Sequence, residues 1–154
     1  MNTPQALIAG GGPAGAVAAL VLARRGISVT VLESRATPER KVGECLPPSL
    51  SPLLHHLGLI DLLEQDGLER DGHLRSLGNR FVWGSPTPGE RPFLTGTKGD
   101  GWHVDRQVFE ARLAERARAA GATWRWGCRL TRCERIGKRF RLEIENGFSS
   151  EASE

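Results

Sequence analysis

Apolar and polar positions change period several times along this chain, and each change marks an expected element. Residues 5–9 (QALIA) are a short apolar run ending in glycine, the pattern of a buried strand. Residues 14–25 (AGAVAALVLARR) are helix formers with Gly26 just beyond as a stop. Residues 27–32 (ISVTVL) are rich in β-branched side chains and close on Glu33, which predicts a second strand. Together they make a β-α-β unit, whose right-handed crossover makes the two strands parallel.

Residues 34–48 are charged, contain proline and read as loop. Residues 49–65 (SLSPLLHHLGLIDLLEQ) place leucines at helical spacing with a break at Gly58, so two short helices are expected. Residues 66–101 are rich in glycine and proline, with 81–83 and 93–95 as expected strands between turns such as Pro88-Gly89. Residues 104–120 predict a helix that Asp105 can cap, with Val108, Leu113 and Ala117 on one side and Gly121 at its end. Residues 124–128 restart as a strand. Residues 129–136 and 139–145 (RFRLEIE) then alternate, with Phe140, Leu142 and Ile144 on one face and Asn146-Gly147 as a turn. That is the pattern of antiparallel hairpin arms. A meander begun by two strands wants a third where the polar FSSEASE runs to Glu154, so 1–154 reads as the N-terminal part of a larger domain.

Composition narrows the class. A length of 154 residues suits one domain. With 39% hydrophobic and 25% charged residues, disorder and collagen-like repeats are excluded. The net charge of +3 comes from basic residues interspersed with acids, so no nucleic-acid partner is implied. Cys45, Cys128 and Cys133 cannot all pair and show no two-residue spacing, which fits a reducing cytoplasm. No charged residue precedes Arg24, yet no basic residue opens the apolar stretch and Gly10, Gly11, Gly12 and Pro13 interrupt it. Neither a signal peptide nor a membrane span is expected. His55, His56, His73 and His103 have no carboxylate cluster beside them, so no metal site is expected.

The glycines turn the β-α-β unit into chemistry. Gly10, Gly12 and Gly15 stand at G-x-G-x-x-G spacing between the first strand and the first helix, the context that makes this pattern a dinucleotide fingerprint. The first glycine allows the tight turn, the second admits the pyrophosphate, and the third lets helix and strand approach. The helix N-terminus then faces the phosphates. Glu33 follows roughly 20 residues after Gly12, where a carboxylate accepts from both adenosine ribose hydroxyls and repels a 2′-phosphate, against NADP. NAD and FAD both use such a cradle, and the glycines do not separate them.

Further residues do. Pro13 and Ala14 within GGGPAG, with Glu33, Ser34 and Arg35, resemble the FAD-binding start of the flavin monooxygenase superfamily. That superfamily includes aromatic hydroxylases, flavin-dependent halogenases and geranylgeranyl reductases. VGECLPPSLSPLLHHLGL (42–59) resembles the G-E-S-x-x-P stretch of its halogenase-like members, and WHVDRQVFEARLAERARAAGA (102–122) resembles their D-R helix. The resemblance implies an α/β, Rossmann-like FAD-binding fold, a parallel sheet with a β-meander, incomplete at the C-terminus.

It also implies site residues. Arg106 of the D-R pair lies against FAD, and a backbone contact to adenine falls near Leu130. Gly43, Glu44 and Cys45 line the cofactor or the active-site wall. Cys45 stands where the family carries serine and reads as a small buried packing residue rather than a nucleophile. Trp124-Arg125-Trp126 begins like the W-x-W-x-I-P of tryptophan halogenases but continues Gly127-Cys128, so that signature is absent from these residues. No residue stands out as catalytic. The implied activity is that of an FAD-dependent oxidoreductase, a hydroxylase-like or halogenase-like enzyme acting on a small molecule or an amino-acid side chain. NAD(P)H or a flavin reductase supplies its electrons, and its second FAD motif lies after position 154, which leaves this chain inactive alone. The alternatives are a non-enzymatic dinucleotide-binding module and an NAD-linked dehydrogenase fragment.

Overall fold

The computed structural model describes residues 5–146 except 38, 40, 41, 43, 66, 67, 94, 95, 97, 98 and 138. It divides into two units, one of Met1–Glu39 with Glu110–Glu154 and one of Arg40–Phe109.

The first unit is the expected β-α-β motif and its extension. Strand β1 (Gln5–Ala9), helix α1 (Pro13–Arg24) and strand β2 (Ser28–Leu32) follow the apolar runs. β1 and β2 pair in parallel, Gln5 opposite Ser28 through Ala9 opposite Leu32. Ile8 packs toward Gly15 of α1, and the alternation of a strand sends Leu7 and Ala9 to the opposite face. Ala16, Ala19 and Leu20 of α1 are buried, as are Val29, Val31 and Leu32 of β2.

The second unit is built from short strands. Strand β3 (Glu44–Leu46) lies inside the segment expected to be loop. Helix α2 (Leu50–Leu57) ends at Gly58, whose φ of 66° supplies the left-handed C-cap that glycine favours. The second expected helix is a single 3-10 turn at Ile60–Leu62. Leu59, Leu62 and Leu63 are all buried there, so these leucines serve as core anchors rather than as a helical stripe. Strands β4 (Glu64–Gln65) and β5 (Leu68–Glu69) form a small hairpin.

Strands β6 (Leu74–Ser76), β7 (Gly78–Phe81), β8 (Gly89–Pro92) and β9 (Gly101–Val104) correct the expectations for 66–101. The strands expected at 81–83 and 93–95 are displaced toward the N-terminus, and 94 and 95 lie outside the described residues. β7 and β8 are polar and pair antiparallel. Arg80 reaches Glu90 with Nε at 2.9 Å and Nη2 at 2.6 Å, and Phe81 lies across Gly89. Apolar patterning does not register a hairpin held that way. β9, for which no strand was expected, is the central strand between β3 and β6.

Val104 closes β9, so helix α3 (Arg106–Ala119) starts two residues later than expected. The expected cap forms: the Val108 N–H donates to the Asp105 carboxylate at 3.1 Å. Phe109, Leu113, Ala114 and Ala117 are buried.

The strand expected over 124–128 is broken. β10 (Thr123–Arg125) joins the parallel sheet beside β2, giving the order β1-β2-β10. Gly127 then takes a φ of 66° and turns the chain into β11 (Cys128–Ile136). β11 pairs antiparallel with β12 (Arg139–Asn146) as the expected hairpin, with a register shift between Leu130 and Arg132. Asn146 closes β12, and Gly147 of the expected turn lies outside the described residues. Leu130, Cys133 and Leu142 of the hairpin and Leu7, Ala9 and Thr30 of the parallel sheet line a cleft of about 730 Å³.

Leu20 is 1% exposed on the buried side of α1. Leu20→Ala is expected to destabilise the fold by about 2–5 kcal/mol. The check is a lower denaturant midpoint with an unchanged m-value.

Candidate functional site

The turn between β1 and α1 has no room for side chains where it matters. A Cβ at position 15 would stand 2.0 Å from the Gly10 carbonyl oxygen, well inside van der Waals contact, so helix and strand meet at glycine distance. Gly10 has a φ of 99° and donates its N–H to the Leu32 carbonyl at 2.8 Å, tying the turn to β2. At Gly12, by contrast, a Cβ would meet nothing within 4 Å.

Gly12 is also the N-cap of α1, and no side chain caps that helix. Pro13 opens it, where its missing N–H costs nothing. Its first turn contains no acid. The positive end of the α1 dipole and its N-terminal N–H groups are therefore met by no acid of the helix's own first turn. This suits a phosphate group.

Glu33 borders the same turn and is 8% exposed. Its N–H donates to the Arg125 carbonyl and its carbonyl accepts from the Cys128 N–H, both at 2.9 Å. Its carboxylate accepts from the Gly11 N–H on Oε2 at 2.7 Å, and from the Arg35 N–H at 2.9 Å and the Ser34 hydroxyl at 3.3 Å on Oε1. A carboxylate offers about four acceptor positions, so these three bonds leave one on Oε2. Burial pushes this carboxyl up. The bonds from Arg35, Gly11 and Ser34, with the Arg35 charge, outweigh that and hold it below the usual carboxylate range.

Gly11 was not singled out by spacing, yet it gives Glu33 its shortest bond. A Cβ there would stand 2.5 Å from Cζ2 of Trp124. The middle glycine of the GGG run was the signal available in the sequence. The aromatic neighbour was not, because Trp124 arrives from a distant strand.

The other predicted residues lie in the second unit, apart from Leu130. Arg106 places Nη1 3.2 Å from Oε2 of Glu44, so these two form an ion pair. Cys45 is exposed, not buried as expected, with Sγ 3.7 Å from the Ser76 hydroxyl. It lines a cavity of about 640 Å³ together with Ser49, Asn79 and Arg91. Gly43 lies outside the described residues. Leu130, opposite Ile144 in the hairpin, turns its side chain into the cleft behind the parallel sheet. Among the described residues no group of three or more His, Cys, Asp and Glu is placed to hold a metal ion. No helix among them is long and apolar enough to cross a membrane.

This geometry agrees with what the chain resembles. Residues 3–151 match the FAD binding domain family, and the chain belongs to that family. Its cofactor is FAD. Flavin-dependent halogenase rdc2 of Metacordyceps chlamydosporia is 35% identical over 137 residues, 87% of this chain and 25% of that protein. The tryptophan 2-halogenase of Chondromyces crocatus is 33% identical over 141 residues, 90% of this chain and 25% of that protein. The solved structure of the myxobacterial chondrochloren halogenase CndH superposes with a TM-score of 0.79 at 27% identity, covering 94% of this chain and 33% of that one. The chain thus spans about a quarter of the length of the curated relatives it matches.

Because the folded-state pKa of Glu33 is depressed, its contribution to stability is whole above the unfolded value of 4.5 and is lost as pH falls through the folded value. Glu33→Gln is expected to be less stable than the parent at neutral pH. The gap should narrow as pH drops below about 4.5, which paired thermal melts across pH 3–7 would read.

Proposed function

We propose that this chain is the N-terminal, ADP-binding part of an FAD-dependent oxidoreductase of the flavin monooxygenase and halogenase type. The observation that carries the reading is the pairing of an open, Cβ-free turn at an uncapped helix N-terminus with a buried carboxylate at the end of β2.

In this reading the pyrophosphate of FAD sits over Gly12, where backbone N–H groups and the α1 dipole meet its charge. Gly10 and Gly15 keep the turn and helix close enough for that approach. Glu33 offers its remaining Oε2 position to one adenosine ribose hydroxyl, and a second hydroxyl can displace the weak Ser34 bond on Oε1. Its negative charge repels the 2′-phosphate of NADP. Ser34 and Arg35 hold the carboxylate in place.

The resemblance puts Arg106, which pairs with Glu44, against an anionic or carbonyl group of the cofactor. The resemblance assigns Gly43, Glu44 and Cys45 to the cofactor or active-site wall, and the backbone near Leu130 to adenine. When bound and reduced, FAD activates oxygen for hydroxylation of a substrate or oxidation of halide. The protein's part is to bind, orient and exclude water. The substrate is a small molecule or an amino-acid side chain, the electrons come from NAD(P)H or a flavin reductase, and the setting is the cytoplasm. The second FAD motif and most substrate contacts belong to the length that relatives have and this chain does not.

The test uses the full-length protein that carries these residues, loaded with FAD and reduced by a flavin reductase with NADH in the presence of oxygen and halide. Tryptophan and simple aromatic acceptors are offered, and products are read by mass. Halogen incorporation supports the halogenase form of the reading and hydroxylation the monooxygenase form. Bound FAD with no turnover would point to a binding module, and displacement of FAD by NAD to a dehydrogenase.

Gly12→Ala separates folding from binding, because its Cβ meets no protein atom within 4 Å. The thermal midpoint is expected to stay within about 2 °C of the parent. FAD affinity is expected to fall about tenfold or more, read by flavin fluorescence titration.

A further inference from the structure

We propose that Trp124 and Trp126 form an aromatic wall for the adenosine end of the cofactor. Trp126 is the face on which adenine stacks, and Trp124 is the positioning residue that holds it. The proposal rests on the reading of Glu33 as the acid that takes the ribose.

Backbone geometry places the pair. The Arg125 carbonyl accepts from the Glu33 N–H, and the Cys128 N–H donates to the Glu33 carbonyl. Trp126 lies between those two bonds, in the segment directly beside Glu33. It also stands just past the carboxyl ends of β2 and β10, the edge of a parallel sheet at which dinucleotides bind. Trp124 stands two residues earlier, in β10. The two rings lie 5.7 Å apart, tilted by 41°.

Trp124 is wedged from its other side. The point where a Cβ at position 11 would stand is 2.5 Å from Cζ2 of Trp124, 3.1 Å from its Cε2 and 3.1 Å from Oε2 of Glu33. The indole edge next to Nε1 therefore abuts the turn whose N–H binds the Glu33 carboxylate. Trp124 Nε1 is buried and has no hydrogen-bond partner among the described residues. A buried N–H is normally paired, so packing, not hydrogen bonding, fixes this ring. The order from the turn outward is Gly11, Trp124, Trp126.

Trp126 is half-buried, so part of its ring remains open. Adenine is joined to the ribose that Glu33 takes, and any purine gains by stacking on an aromatic face whatever its edge bonds to. The pair thus gives the site an affinity for the adenosine half that the glycine turn, which reads only phosphate, does not supply.

The experiment titrates the full-length protein with FAD, ADP and FMN, following tryptophan emission and flavin fluorescence, with circular dichroism as a check on folding. ADP is expected to quench tryptophan emission in the parent. Trp126→Ala should weaken FAD and ADP about tenfold and leave FMN unchanged, with Trp126→Phe recovering most of the loss. Gly11→Ala and Trp124→Leu should each weaken ADP binding, the first by displacing the ring that holds Trp126 and the second by removing it. Parent-like ADP and FAD affinity in Trp126→Ala would overturn the proposal, as would an equal loss for FMN, which marks a general defect. A parent that binds neither FAD nor ADP would instead overturn the reading of Glu33 and its turn, and the proposal with it.

Discussion

Only 2.0 Å separates the Gly10 carbonyl oxygen from the place a Cβ at 15 would occupy, and that approach sets how closely α1 lies against β1. The consequences run outward in order. With the helix that near, the turn takes the positive φ of Gly10 and ties itself to Leu32 of β2. The next N–H, from Gly11, then falls on the Glu33 carboxylate. Glu33 in turn binds β10 and the start of β11 through its main chain. One missing side chain thus fixes the relative positions of a helix, three parallel strands and a hairpin.

Glu33 carries structural and chemical duties at once. Burial alone favours its neutral form, and the N–H groups of Gly11 and Arg35 reverse that preference. Most of its acceptor capacity therefore holds the turn, and the proposed function gives what remains to the ribose. On the proposed reading, occupation of the site and order of the turn are coupled through one carboxylate.

The second unit is organised by individual polar anchors. The Asp105 N–H donates to His73 Nδ1 at 3.2 Å, and the fully buried His73 ring meets Phe109 edge-on at 6.2 Å. Trp102 donates its indole N–H to Ser51 at 3.1 Å while Arg75 lies 5.0 Å over its ring. Arg75 also reaches Glu64 at 2.7 Å. Each contact joins residues far apart in sequence, and none belongs to a period of two or of 3.6. The strands there are short and polar, and their existence depends on partners.

The β-α-β unit, its parallel pairing, the hairpin arms and the cap at Asp105 were legible from the chain alone. In each, local periodicity and terminal signals agree with the buried face. The turn built on Gly10, Gly12 and Gly15, and the place of Glu33 at the end of the second strand, were legible for the same reason, since their spacing is set within one local unit. The strands at Gly78–Phe81, Gly89–Pro92 and Gly101–Val104 were not, because glycine and proline in a strand become readable only once the partner is known. Nor was the exposure of Cys45, which follows from its place at the rim of a cavity. Gly11 and Trp124 show the division most clearly. Nothing within either segment demands the other, and only the third parallel strand, arriving about a hundred residues later in the chain, lays the indole across the turn and leaves no room for a side chain at position 11 unless the ring shifts.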